Sequence, residues 1–120
     1  MITDEITERA MKIILSAGEA RTASTQALKA VSEANFELAD EKLKEANQKI
    51  LIAHRVQTDA IQAETSGEPT EYTVLFAHAQ DTLMTIYSEL NITKQLIKIF
   101  KAYEKRIENI EEALKNNIGM

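Results

Sequence analysis

The chain carries two histidines, His54 and His78. His78 lies with Asp81, Thr82 and Thr85 inside the most apolar run of an otherwise polar sequence, VLFAHAQDTLMTIY (Val74–Tyr87). An imidazole that is not buried is neutral enough near neutral pH to act as a nucleophile. A lone carboxylate in an apolar run is costly unless it is paired, protonated, hydrated or bound to a metal. The types present therefore suit covalent group transfer on nitrogen, or a hard-cation site, if the chain positions them. Taken singly, a histidine on a helix is more often structural than chemical, so the elements around it must decide.

Those elements are helices. Glycine and proline punctuate chains, and this one has three Gly and one Pro, with Gly67 and Pro69 together in TSGEPTE. Ala, Glu, Lys, Leu and Gln, all good helix formers, fill much of the rest. Three apolar stripes follow a 3,4 rhythm. The first runs Ile6, Ala10, Ile13, Ala17, Ala20, Ser24, Ala27, Val31, with Ser24 small enough for a helix contact. The second runs Phe36, Ala39, Leu43, Ala46, Ile50, Ala53, and the third Tyr72, Phe76, Ala79, Leu83, Ile86, Leu90. Thr3, Asn35 and Thr70 stand where N-caps are expected. Helices are expected at about 4–32, 36–65 and 71–116, in one domain spanning 1–120. Thirty helical residues reach roughly 45 Å, and short links between long helices imply antiparallel neighbours. The expected fold is all-α, an up-down-up three-helix bundle. Gly18, in mid-helix, either permits a close approach or marks a kink.

The third helix has a second stripe about halfway round: Val74, Ala77, Asp81, Met84, Ser88. A helix in a three-helix monomer needs one buried face, so the second seam suggests packing against another copy around a symmetry axis. Asp81 sits on that seam. Converging carboxylates would repel unless a cation such as Mg²⁺ bridged them. The alternative is that Asp81 faces water and the seam is accidental. His78 lies at the rim of the seam, with Thr82 and Thr85 on its helical neighbours' positions i+4 and i+7.

Composition excludes other classes. Lys and Arg number 14 against 19 Asp and Glu, a net charge of −5, which argues against nonspecific nucleic-acid binding. There is no Trp, with three Phe and three Tyr, so a base-stacking platform is not expected either. Cys is absent, which excludes disulfides and thiolate metal sites and is compatible with a reducing cytosol. MITDEITERA lacks a basic and then apolar leader, and no apolar run approaches the roughly 18 residues of a membrane span. A soluble, cytoplasmic protein without membrane insertion is expected.

HAQDTLMT (His78–Thr85) resembles the active-site stretch of the lactose/cellobiose-type IIA component of the phosphoenolpyruvate-dependent sugar phosphotransferase system. IILSAGEARTASTQALKA (Ile13–Ala30) resembles that family's first helix, and ANFELADEKLKEANQKILIAHRVQTDAIQAETSG (Ala34–Gly67) its second helix and turn. Order and spacing agree over roughly residues 5 to 100. The resemblance implies a homotrimer with the third helix at its centre. It implies a phosphoryl group accepted by His78 from the phosphocarrier protein HPr and passed to a IIB component. IIB then phosphorylates a β-disaccharide of the lactose, cellobiose or chitobiose class as the membrane IIC component imports it. Asp81 matches the family's axial aspartate, associated with Mg²⁺ or another divalent cation. Thr82 or Thr85 would donate a hydrogen bond to the phosphoryl group, and Leu75 and Ala79 with a neighbouring chain would form apolar walls.

The chain departs from the family in two places. The stretch usually reads HAQDHLMT, with histidine where this chain has Thr82. The segment after about residue 101 is a C-terminal helical extension beyond where family members often stop, with Phe100, Tyr103, Ile107, Ile110 and Leu114 at 3,4,3,4 spacing. His54 is read as structural or surface, and Gln80 as facing away from His78. The competing reading is a regulatory or structural trimeric helical bundle with no transport role.

Overall fold

The computed structural model describes residues 2–68 and 72–118, with side chains from Glu5 onward. Three helices account for almost all of them: α1 (Ile2–Ser32), α2 (Phe36–Thr65) and α3 (Val74–Ile118). No strand occurs among the described residues. The expected all-α, up-down-up bundle is the observed one, with α1 packed on both α2 and α3.

The helix ends follow from local chemistry. At the end of α1, Asn35 N–H donates to the Ala30 carbonyl and Ala34 N–H to the Val31 carbonyl, both at 2.9 Å. At the end of α2, Glu68 N–H donates to Ala63 and Gly67 N–H to Glu64, both at 3.2 Å. Both are Schellman closures, which place one residue in the left-handed region. Gly67 meets that need with φ 91°, whereas Ala34 does so with φ 58° at a steric cost. Asn35 then caps α2, accepting from Leu38 N–H at 3.2 Å, as expected.

The other two expected caps differ. α1 begins at Ile2, so Thr3 falls within the helix, and its side chain lies outside the described residues. α3 begins at Val74 and ends at Ile118 rather than at about 71 and 116. Its cap is Thr73, whose Oγ1 accepts from Phe76 N–H at 3.0 Å. Thr70 lies outside the described residues. Tyr72, read as the first member of the third stripe, precedes the helix and is 81% exposed. With threonines at both 70 and 73, spacing alone did not say which one the backbone would use.

The core is built on alanine. Ala10, Ala17, Ala20 and Ala27 of α1 and Ala39, Ala46 and Ala53 of α2 are fully buried. Small side chains let helix axes approach toward the short end of the usual 8–10 Å range. Ile13, Leu83, Ile86 and Leu90 provide the bulk. Ser24 is buried in the α1–α3 contact, where its Oγ lies 2.8 Å from Thr93 Oγ1. Thr93 Oγ1 itself donates to the Glu89 carbonyl at 3.0 Å, so Ser24 is the donor of the pair.

Gly18 serves neither suggested purpose. α1 runs unbroken through it, it is exposed, and a methyl group there would meet nothing within 4 Å.

Ion pairs tie the helices at three levels. Arg21 of α1 grips Glu89 of α3 through Nε and Nη2 at 2.9 and 2.8 Å, Lys49 of α2 reaches Glu19 of α1 at 2.8 Å, and Lys101 of α3 reaches Asp40 of α2 at 2.7 Å. Hydrogen bonding to Glu89 raises the Arg21 pKa, and hydrogen bonding to Glu19 raises that of Lys49. These pairs are exposed and contribute little individually, but they fix the rotational setting of each helix.

The Lys101–Asp40 pair ties α3 to the first turns of α2. Beyond it α3 continues to Ile118 as a single helix, and the molecule is 77 Å long but about 20 Å across. This tail leaves from the end where α1 joins α2. The start of α3 lies at the opposite end.

Candidate functional site

HAQDTLMT begins in the second turn of α3 and runs for just over two turns. Helical geometry sorts its residues onto two faces. Ala79, Leu83 and Ile86 point into the bundle and are buried. His78, Asp81, Met84 and Thr85 are exposed, and Ala77 and Thr82 are half-buried. The second stripe is thus left open by the single chain: Val74 is 78% and Met84 56% exposed, and no residue of α1 or α2 covers them.

His78 stands on the flank of this open face. Its imidazole takes no hydrogen bond from the described residues. Beneath it, Thr82 Oγ1 donates to the His78 backbone carbonyl at 2.8 Å. That bond commits the single hydroxyl proton of Thr82 to the helix, so Thr82 can donate to a ligand on His78 only if its hydroxyl turns, and Thr85 lies two turns away, roughly 10 Å along the axis. The expected wall also changes. Leu75 is half-buried beside His78, but Ala79 is fully buried in the bundle and lies below the surface, not at it. Asp81 is exposed and makes no ion pair among the described residues. The chain supplies a single carboxylate there, and no group of three or more potential metal ligands occurs among the described residues.

His54 is not part of this arrangement. It is exposed on α2, with its ring 6.3 Å from that of Tyr87 and its Nδ1 3.5 Å from Thr58 Oγ1. Tyr87 is nine residues after His78, two and a half turns, and so on the opposite side of α3. Gln80 also faces away from His78. It lines a cleft of about 170 Å³ at the same end of the bundle, with Arg9, Glu64, Tyr72 and Phe76. The sequence reading did not anticipate this cleft, because its walls come from all three helices and no local spacing brings them together.

The site is an exposed imidazole near the start of α3, beside a face that the single chain leaves uncovered. Comparison with known proteins gives the family. The model of the lactose/cellobiose-specific IIA subunit of the sugar phosphotransferase system matches residues 8–101. The lactose-specific EIIA component of Staphylococcus epidermidis is 35% identical over 101 residues, covering 84% of this chain and 97% of that protein. The crystal structure of PtcA from S. mutans superposes with a TM-score of 0.81 at 38% identity, covering 84% of this chain and 99% of that one. A cellobiose-specific enzyme IIA from Bacillus anthracis gives 0.79 at 34% identity, over 83% and 92% of the two chains. The chain belongs to the lactose/cellobiose-specific IIA family of the phosphotransferase system. It is therefore a component of sugar phosphotransfer. No helix among the described residues is long and apolar enough to cross a membrane.

Proposed function

We propose that this chain is the cytoplasmic phosphocarrier of a β-disaccharide uptake system. It accepts a phosphoryl group from phospho-HPr on His78 and passes it to a IIB component, which serves the membrane IIC component. The observation that carries the reading is the position of His78, exposed at the start of α3 on the flank of an uncovered face. A neighbouring copy packed on that face would form the second wall of a cleft around the imidazole.

The step needs little machinery. The lone pair of one His78 nitrogen attacks the phosphorus of the donor phosphohistidine. A new N–P bond forms as the donor's N–P bond breaks, and the donor imidazole leaves. In-line positioning and charge stabilisation supply most of the rate. Leu75 keeps water from one side, and Thr82, if its hydroxyl turns, donates to the phosphoryl oxygens.

Assembly completes the site in this reading. Three copies meet along α3, which brings three Asp81 carboxylates toward an axis. Carboxylate oxygens suit Mg²⁺ or another hard divalent cation, which would neutralise their repulsion. The single chain offers one such oxygen pair, so this site exists only in the trimer. The names of related proteins include both lactose and cellobiose, so the sugar is left at the β-disaccharide class.

The test is intact mass after incubation with phosphoenolpyruvate, enzyme I and HPr. Wild type should gain one acid-labile phosphoryl group, and His78→Ala should gain none. A folded wild type that gains nothing from a phosphorylated donor overturns the proposal. The regulatory or structural alternative draws on Thr82, which replaces the family's usual histidine. Phosphoryl acceptance without onward transfer to any IIB would favour it.

A further inference from the structure

The strongest unexplained feature lies far from His78. α3 outruns its bundle, and its tail carries large apolar side chains into solvent: Ile99 is 48%, Tyr103 53%, Ile107 50% and Leu114 55% exposed. Isolated helices of this length are marginal in water without a packed face, and contiguous apolar patches usually mark a contact surface.

The spacing says more than exposure. From Ala77, positions recur at 4,4,3 along the rest of α3: first Ala77, Asp81, Thr85 and Ser88, then apolar residues without interruption from Ile92, through Leu96, Ile99 and Tyr103, to Leu114 and Ile118. This is an 11-residue repeat, about 3.67 residues per turn. On a straight helix it drifts about 20° per eleven residues, less per residue than the roughly 20° per heptad of a 3,4 repeat and in the opposite sense. The apolar tail is therefore the continuation of the face that carries Asp81. The 3,4,3,4 reading of the tail took in Phe100, which the straight helix places on the flank.

We propose that the face of α3 from Ile92 to Ile118 is a self-association surface, on which copies of this chain pack parallel and in register as a small bundle. Three observations favour a second copy over a foreign partner. The stripe is continuous with the open face beside His78, so one contact between copies covers both. Its flanks are self-complementary in one orientation. Arg106 lies on one flank and Glu104 and Glu111 on the other. Parallel neighbours set Arg106 against the glutamates, whereas antiparallel neighbours set glutamate against glutamate. Among the described residues the Arg106 guanidinium leans on the Tyr103 ring, at 5.5 Å. Finally, the family match ends at residue 101, and relatives covered at 97–99% of their length leave the tail without a counterpart. If copies meet along α3 as proposed above, a tail added to that helix would lengthen the same contact. The proposal does not require His78 to carry phosphate.

The chain has no cysteine, so one introduced thiol reports geometry without ambiguity. Full-length Asn117→Cys, treated with diamide, should form a disulfide between identical positions, because parallel in-register copies bring the two thiols together. Full-length Ile107→Glu/Ile110→Glu should keep its bundle, which the tail does not touch, and should self-associate at least tenfold more weakly by sedimentation. Wild type that is monomeric at tens of micromolar, a double variant that associates as wild type does, or a thiol variant that stays uncrosslinked overturns the proposal. Phosphoryl acceptance on His78, read by mass in the same samples, tests the carrier reading separately and should be unchanged by the double variant.

Discussion

At the residue scale the proposed chemistry rests on one imidazole and on what surrounds it. Thr82 lies one turn from His78, whereas Thr85 lies two turns away, roughly 10 Å along the axis. The Thr82 proton is held by the His78 carbonyl. Hydrogen bonds to charged groups are worth about 1.5–3 kcal/mol, which is roughly tenfold to a hundredfold in rate. While the Thr82 hydroxyl stays on the His78 carbonyl, Thr82→Val should change phosphoryl acceptance less than about threefold, and Thr85→Val, two turns from His78, should change it no more. Rapid-quench labelling of the two variants by phospho-HPr checks this. A larger loss at Thr82 would mean that its hydroxyl turns to the phosphoryl group in the working state. The sequence showed which residues could act. It did not show that one hydroxyl was already spent, because that depends on a rotamer and not on a spacing.

At the scale of the elements, two positions are held against their own preference, and both offer a measurement. Gly18 sits in the exposed middle of α1 with open space where a side chain would go. Gly18→Ala should raise stability by about 1 kcal/mol. Ala34 occupies the left-handed position of a helix end, with φ 58°, where glycine carries no steric penalty. Ala34→Gly should also raise stability, by up to about 1 kcal/mol once the extra freedom of glycine in the unfolded chain is subtracted. Urea unfolding of each variant decides, and a destabilised Gly18→Ala would point to a role for the bare backbone at that turn. Helix identity and core faces were legible in the sequence. Ala10, Ile13, Ala17 and Ala20 were placed on one stripe and are buried. The start of α3 was less legible, since Thr70 and Thr73 offer the same capping chemistry and only the tertiary path selects Thr73.

At the scale of the whole molecule, the open face of α3 is the surface on which the proposed trimer would form. Asp81 is the one carboxylate among small and apolar neighbours there. Removing a converging charge from an apolar contact relieves repulsion and desolvation, so Asp81→Leu should keep the trimer or tighten it by roughly tenfold. Sedimentation across a dilution series reads the change. Dissociation to monomers would show instead that the carboxylate supports assembly, as it would if a divalent cation bridged the three copies.

The sequence by itself determined three helices, the residues each turns inward, and the existence of a second face on the third. Those properties follow from local spacing, which backbone geometry converts directly into direction. Tertiary structure alone decided which parts meet. It brought Arg21 to Glu89 across 68 residues and Lys101 to Asp40 across 61. It set His54 against Tyr87, on the side of α3 away from His78, and buried Ala79 beneath the site. It also ended the bundle at Lys101 while α3 ran on, leaving an apolar face for a partner. Such outcomes depend on how far each helix extends past its neighbours and how it is rotated against them. Contacts between distant residues fix both, and no local pattern records them.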